Sequence, residues 1–105
     1  MGENRTQAEG VRVGPVLLRG PVSEALVAAI RELNAGVEVQ DRGAYLRVLV
    51  PVRCRLNRQV VERKLGETFS LPADLEEVMP SFKGRLTITH DEATWQAADR
   101  TEARR

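Results

Sequence analysis

Apolar side chains recur with a helical period in one segment near the N-terminus. Between residues 21 and 33 they are spaced by three and four positions, which places them on a single face of a helix. They are Val22, Ala25, Leu26, Ala29, Ile30 and Leu33. Pro21 suits a first helical turn, and Gly36 suits the left-handed residue that ends a helix. The pattern therefore predicts an amphipathic helix that begins at Pro21 and ends before Gly36.

Other segments of the first half have the composition and alternation of strands. Residues 11–18 (VRVGPVLL) predict a short strand with a kink or an edge position at Pro15, because proline donates no backbone hydrogen bond. Two extended segments, residues 37–41 and 44–56, meet at the turn sequence DRG (residues 41–43) and predict a hairpin. The even-numbered residues of the longer segment are all apolar, which indicates one buried face. Because such a strand would span about 43 Å, we expect a bulge or a joint between two strands at Pro51.

The second half predicts two helices followed by strands. Asn57 is a suitable N-cap for a helix over residues 58–65, and Gly66 is suited to end it. A short helix is expected to start near Pro72. Residues 85–90 (RLTITH) alternate as a strand does, and a last strand is expected after the next turn.

These elements predict an α+β protein. We expect a small single domain over residues 11–95, with an antiparallel or mixed sheet and about three helices on one side of it. Residues 1–10 are polar without a period, and residues 96–105 are rich in charge, so both are expected to be flexible tails.

Charge and cysteine content restrict the choice of partners. Sixteen Lys and Arg against fifteen Asp and Glu give a net charge of +1, so no bulk field attracts the protein to nucleic acid or to a membrane. No run approaches the roughly 18 apolar residues of a membrane span, and residues 1–10 lack the order of a secretory signal. The single cysteine, Cys54, forms no internal disulfide and is compatible with a reducing compartment. We therefore expect a cytoplasmic protein.

Groups that could perform catalysis are few. One cysteine and one histidine cannot form a zinc site of Cys and His ligands within one chain. Cys54 lies on the apolar side of its strand, where we expect a packed thiol with a raised pKa. His90 lies beside two carboxylates at a predicted turn, where a solvated histidine is expected. Nucleotide-binding and hydrolase motifs are absent from the sequence, so we expect neither enzyme activity nor a bound metal or cofactor.

Five short motifs occur in order along the chain. They are Val13-Gly14-Pro15, Asp41-Arg42-Gly43-Ala44-Tyr45, Leu65-Gly66-Glu67-Thr68-Phe69, Leu75-Glu76 and Ser81-Phe82-Lys83-Gly84. With this order and spacing, residues 11–95 resemble the small effector, or coupling, proteins of bacterial multicomponent monooxygenases. The opening motif is more similar to the toluene and alkene monooxygenase branch than to the methane branch.

The chain departs from the family pattern at three places. It has Asn34-Ala35-Gly36 where N-P-G is frequent, Glu67-Thr68 where R-P is common, and Pro80 where a small polar residue is usual. The second and third departures fall on segments that are expected to touch the partner. These two departures therefore bear on the identity of the hydroxylase that the protein serves.

The resemblance implies a function without catalysis. Family members carry no cofactor and dock on the iron-bearing alpha subunit of a diiron hydroxylase. Docking shifts helices near the active site and couples oxygen activation to hydroxylation or epoxidation of an aromatic or alkene substrate. On this basis the residues expected to contact the hydroxylase are Asn34, Phe69, Ser81, Phe82, Lys83 and Gly84.

Several alternatives stay open from the residues alone. Phe82 either presses on the partner or covers one end of the core, and Asn34 either contacts the partner or only ends its helix. Six basic residues near one strand-helix corner form either a solvated face or a docking surface: Arg47, Arg53, Arg55, Arg58, Arg63 and Lys64. An RNA-binding or small-molecule-sensing α+β domain is the alternative function.

Overall fold

The computed structural model describes residues 11–98, which form seven strands and three helices. In chain order these are β1 (Arg12–Leu18), α1 (Pro21–Leu33), β2 (Glu38–Asp41), β3 (Tyr45–Pro51), β4 (Arg53–Asn57), α2 (Arg58–Leu65), α3 (Ala73–Val78), β5 (Ser81–Lys83), β6 (Arg85–Ile88) and β7 (Glu92–Gln96). The tail expected at residues 1–10 lies outside the described part, as do residues 99–105 of the other expected tail. The last strand, β7, ends at Gln96.

The strands form two antiparallel sheets. A four-stranded sheet has the order β2-β3-β1-β5, and a three-stranded sheet has the order β4-β7-β6. The predicted α+β class is therefore confirmed, but the strands described here belong to two sheets where a single sheet was expected.

The division into two sheets occurs at Val52. This residue has a left-handed φ of 68°, which ends the long extended segment one residue after Pro51, where a joint was expected. Its N–H donates to the Val11 carbonyl and its own carbonyl accepts from the Ala97 N–H, each at 2.8 Å. The chain thereby passes from β3 in one sheet to β4 in the other. Because Val52 lies in this joint and Ala44 lies in the hairpin turn, both are exposed and leave the otherwise buried apolar face.

The core lies between α1 and the inner faces of the two sheets. Its central side chains are almost fully buried: Val13, Leu17, Leu26, Ala29, Ile30, Val48, Val50, Cys54, Leu56 and Trp95. The helical stripe and the alternation along β3 and β4 account for most of this set. Burial of this apolar surface is the main favourable contribution to folding.

The ends of α2 follow the predicted capping chemistry, whereas the C-terminal end of α1 departs from it. In α2 the Asn57 side chain accepts a hydrogen bond from the Val60 N–H at 3.1 Å, and Gly66 ends the helix with a φ of 83°. In α1 the C-cap is Asn34, whose N–H donates to the Ile30 carbonyl at 3.0 Å. Gly36 does adopt a left-handed φ of 72°, but it lies two residues beyond that cap.

The irregular stretch VMPSFKG contains a short edge strand. Ser81, Phe82 and Lys83 pair with Val16, Pro15 and Gly14 of β1. Gly84, with a φ of 108°, then leads the chain into β6 of the other sheet. A Cβ at this position would lie 2.8 Å from Cγ1 of Val13, so the close approach that requires glycine is made within the chain itself.

Candidate docking surface

Asn34 uses its side-chain amide inside the protein. Nδ2 donates to the carbonyls of Ile30 at 2.7 Å and Arg55 at 2.8 Å, and Oδ1 accepts from the Arg55 N–H at 2.9 Å. The amide therefore joins the C-terminal end of α1 to the backbone of β4. This geometry corresponds to the structural alternative for Asn34, and a partner contact by this amide would require these hydrogen bonds to break.

Phe69 was expected to contact the partner, but it lies in the core. Its ring is 3% exposed and packs with the buried side chains of the central cluster, among them Leu71 and Leu75. The Phe69 N–H donates to the Glu62 carboxylate at 2.9 Å, which holds the loop after α2 against that helix. Because the ring offers almost no accessible surface, we do not include Phe69 in a docking surface.

The other four expected contact residues, which occupy positions 81–84, lie together on the surface. All of them are exposed, and the Phe82 ring is 44% accessible. Phe82 stands directly across from Pro15, which is buried, so the two side chains share a face of the sheet edge, and Phe82 nevertheless stays partly open to solvent. This position combines features of both alternatives that were stated for Phe82.

A groove that the sequence did not reveal lies next to β5, on the outer face of the four-stranded sheet. In β3 the residues Leu46, Val48 and Val50 face the core, so Tyr45, Arg47 and Leu49 project from the opposite face. With residues of β1 and β5 they line a depression of about 370 Å³, which we call the sheet groove. Its side-chain lining includes Val16, Tyr45, Arg47, Leu49, Ser81 and Lys83.

Most of the basic residues that were expected to form a surface cluster are paired with carboxylates. Arg58 contacts Glu62 at 3.0 Å and Asp91 at 3.2 Å, and its pKa is raised above its ordinary value, chiefly by the hydrogen bond to Asp91. Arg63 and Lys64 both contact Glu32 at 2.9 Å. Their hydrogen bonds and charges, with that of Lys64 the largest cause, lower the pKa of the Glu32 carboxyl.

Two members of this basic group have no such partner in the described part of the chain. Arg55 still reaches Glu92 at 3.7 Å, but the side chains of Arg47 and Arg53 form no ion pair or hydrogen bond within residues 11–98. Arg47 lies in the sheet groove, whereas Arg53 lies on β4 of the other sheet. The cluster is therefore neither continuous nor strongly basic, which is unlike a nucleic-acid-binding surface.

The groups with catalytic potential are dispersed. Burial raises the pKa of the Cys54 thiol to about 12, as its apolar strand face predicted. His90 is exposed near the turn before β7. Across residues 11–98, no group of three or more His, Cys, Asp or Glu side chains is placed to hold a metal ion. No helix in this same part of the chain is long and apolar enough to cross a membrane.

Fold and surface together define a small antiparallel α+β protein with a groove on the outer face of one sheet, an adjacent exposed aromatic residue and no assembled catalytic group among its described residues. The MmoB/DmpM family model matches residues 11–96. The chain belongs to this family, which confirms the resemblance found in its motifs.

Individual relatives agree with this assignment. The chain is 40% identical over 85 residues to the alkene monooxygenase system effector subunit of Xanthobacter autotrophicus (strain ATCC BAA-1158 / Py2), covering 79% of this chain and 83% of that relative. Its fold is similar to a chain in a phenol hydroxylase-regulatory protein complex, with a TM-score of 0.73, 23% identity and coverage of 83% and 98%. A second structure of such a complex gives a TM-score of 0.68 at 27% identity, with coverage of 81% and 100%.

Proposed function

We propose that this protein is the effector subunit of a multicomponent monooxygenase. It is a non-catalytic component that binds the diiron hydroxylase in the cytoplasm and couples oxygen activation to substrate oxidation. The observation that carries this proposal is the 40% identity to an alkene monooxygenase effector subunit over most of both chains. The same similarity favours an alkene over an aromatic compound as the substrate of the partner hydroxylase.

The effector acts by binding one state of the hydroxylase more tightly than another. A protein without catalytic groups of its own changes a partner only through such a difference in binding free energy. A difference of about 3 kcal/mol shifts the equilibrium between two hydroxylase states about 150-fold. An interface of modest size supplies this amount if a few well-packed contacts form in only one of the states.

We place the contact with the hydroxylase at β5 and the adjoining sheet groove. Ser81, Phe82 and Lys83 are exposed there, and Gly84 follows them without a side chain. The half-exposed ring of Phe82 provides the aromatic anchor that is frequent at the centre of protein interfaces. Asn34 and Phe69 are engaged within the fold and are not part of this surface.

The test is a reconstituted oxidation assay with purified hydroxylase and reductase of the same system. We expect the ratio of product formed to electron donor consumed to rise as the protein is added. The rise should stop when the protein concentration equals the concentration of hydroxylase active sites. A small alkene and a simple aromatic compound serve as parallel substrates, and an unrelated small protein serves as the control. If both rate and coupling stay unchanged over the whole titration, the protein is not the effector of that hydroxylase.

A further inference from the structure

The side chain of Arg47 occupies the middle of the outer face of the four-stranded sheet. Its strand, β3, has β2 on one side and β1 on the other. Its cross-strand neighbours are Gln40 and Val16, and Ser81 stands beyond Val16. Residues directly opposite one another in a sheet share a face and contact each other. Arg47 is therefore partly buried in a row of neutral side chains.

Both carboxylates of the neighbouring strand β2 are already bound by other cations. Glu38 pairs with Arg12 and also accepts a hydrogen bond from Gln40 at 3.0 Å. Asp41 pairs with Arg19, and this hydrogen bond is the main cause of the lowered pKa of its carboxyl. Arg47 thus has no acidic partner within residues 11–98.

Lys83 adds a second cation on the opposite wall of the groove. It lies on β5 across from Gly14, and its ammonium group likewise forms no ion pair or hydrogen bond in the described part of the chain. The groove therefore carries two positive charges that no carboxylate within residues 11–98 neutralises, although the net charge of the whole chain is only +1. A local positive potential of this kind favours a negatively charged partner segment.

The surroundings of these two cations combine apolar side chains with neutral polar ones. Val16 and Leu49 form part of the groove lining, and at one end Tyr45 stands across from Leu18, with exposed fractions of 39% and 46%. An occupant that fits must therefore bring apolar side chains as well as negative charge. A phosphate backbone lacks the former, whereas a protein segment with acidic and aliphatic residues provides both.

We propose that the sheet groove receives an acidic, partly apolar segment of the diiron hydroxylase, and that a carboxylate of this segment pairs with the Arg47 guanidinium. This inference rests on the proposed effector function and specifies its docking chemistry. The planar guanidinium presents a fork of donors that matches a carboxylate, and the pair is strongest where water is excluded. A hydroxylase segment that lacks the carboxylate would bury Arg47 without a partner, so the residue also selects between hydroxylases.

The test measures the affinity of the purified cognate hydroxylase for wild-type protein and for Arg47→Gln, Arg47→Glu and Arg47→Lys. We expect Arg47→Gln to weaken binding by about thirtyfold or more and Arg47→Glu to weaken it further, because each leaves a buried carboxylate unpaired. Arg47→Lys restores part of the affinity, since it keeps the charge without the bidentate geometry. Raising the salt concentration weakens wild-type binding more than Arg47→Gln binding.

Arg53→Glu is the matched control. It makes the same charge change at an arginine that also has no partner within residues 11–98, but in the other sheet and away from the groove. We expect it to alter affinity less than about threefold, since a charge outside the interface acts only at long range. Thermal unfolding followed by Trp95 fluorescence checks that each variant keeps the fold.

Three results would overturn the inference. If wild-type protein and Arg47→Glu bind the hydroxylase equally well, the effector function stands but the groove is not its docking site. If sedimentation shows that wild-type protein alone dimerises and Arg47→Glu does not, the occupant is a second copy of this chain. If single-stranded RNA binds wild-type protein and not Arg47→Glu, the occupant is a nucleic acid. Failure of wild-type protein to bind any hydroxylase would instead refute the proposed function.

Discussion

The fold determines the role of several residues whose chemistry alone is compatible with more than one role. Asparagine after a helix is compatible with a cap, a turn or a partner contact. The tertiary structure directs the Asn34 amide at a backbone segment 21 residues away in sequence. Its function is therefore to attach the end of α1 to β4.

We predict that Asn34→Ala lowers the free energy of unfolding by about 1–3 kcal/mol, because it leaves the N–H and the carbonyl of Arg55 without the amide, whereas the Ile30 carbonyl keeps the backbone N–H of residue 34. Denaturant unfolding followed by Trp95 fluorescence measures the change. Asn34→Asp keeps the acceptor for the Arg55 N–H but loses both donors and puts a negative charge at a helix C-terminus, so we expect a similar or larger loss. Normal stability of Asn34→Ala with impaired hydroxylase activation would instead make Asn34 a contact residue.

At the scale of elements, β5 connects the two sheets and carries the exposed aromatic ring. It pairs with β1 in the four-stranded sheet, and Gly84 leads directly to β6 in the other sheet. The strand is only three residues long, yet it forms one wall of the sheet groove and one edge of its sheet. All three of its residues are exposed, so their side chains are available for a partner.

We predict that Phe82→Ala lowers the free energy of unfolding by less than about 2 kcal/mol, because much of the ring is already in water. The same variant should reduce hydroxylase activation by about tenfold or more, as expected for an aromatic anchor. Melting temperature and the reconstituted oxidation assay provide the two measurements.

The other phenylalanine of the chain, Phe69, is the matched control for this prediction. Phe69→Ala removes a ring that is 3% exposed and should cost about 3–5 kcal/mol. If Phe82→Ala destabilises the protein as strongly as Phe69→Ala does, Phe82 is a core residue and its ring is not the contact.

At the scale of the whole molecule, the two sheets and α1 enclose one core, and Cys54 lies inside it. Cys54 stands across from Trp95 in the three-stranded sheet, and both are fully buried together with side chains from β1, β3 and α1. Reaching this thiol from solvent requires the packing between the sheets and the helix to open. Its reactivity therefore reports on the stability of the entire domain.

We predict that a water-soluble disulfide reagent at pH 8 labels Cys54 in the native protein roughly a thousandfold or more slowly than in denaturant. Burial raises the pKa of this thiol to about 12, so the folded protein holds very little thiolate at that pH. Since the unfolded chain ionises near pH 9 and the folded chain does not, stability should fall as the pH rises from 9 towards 12.

An exposed cysteine provides the comparison for this measurement. Thr87→Cys in a Cys54→Ala background places a thiol on the surface of β6 and should react at the rate of a free cysteine. Rapid labelling of Cys54 while Trp95 fluorescence stays native would show that β4 opens locally and that the core is not a single cooperative unit.

Features that depend on near neighbours along the chain could be predicted from the amino-acid sequence. The helical spacing of α1, the Asn57 and Gly66 ends of α2, the β2-β3 hairpin and the burial of Cys54 all follow from local periods and capping chemistry. The motif order also determined the family. The structural signals are readable because each involves residues only a few positions apart, and the family signal because each of its motifs is a short contiguous segment.

The way in which distant segments meet became visible only in the folded molecule. The turn of the backbone at Val52 separated two sheets, and pairing of β5 with β1 brought Ser81 next to Val16 and completed the groove around Arg47. The same long-range contacts determine which arginines pair with carboxylates. They also determine which of the two phenylalanines is exposed. The physical reason is that strand register and side-chain pairing are set by the packing of residues far apart in sequence, and a local pattern does not encode them.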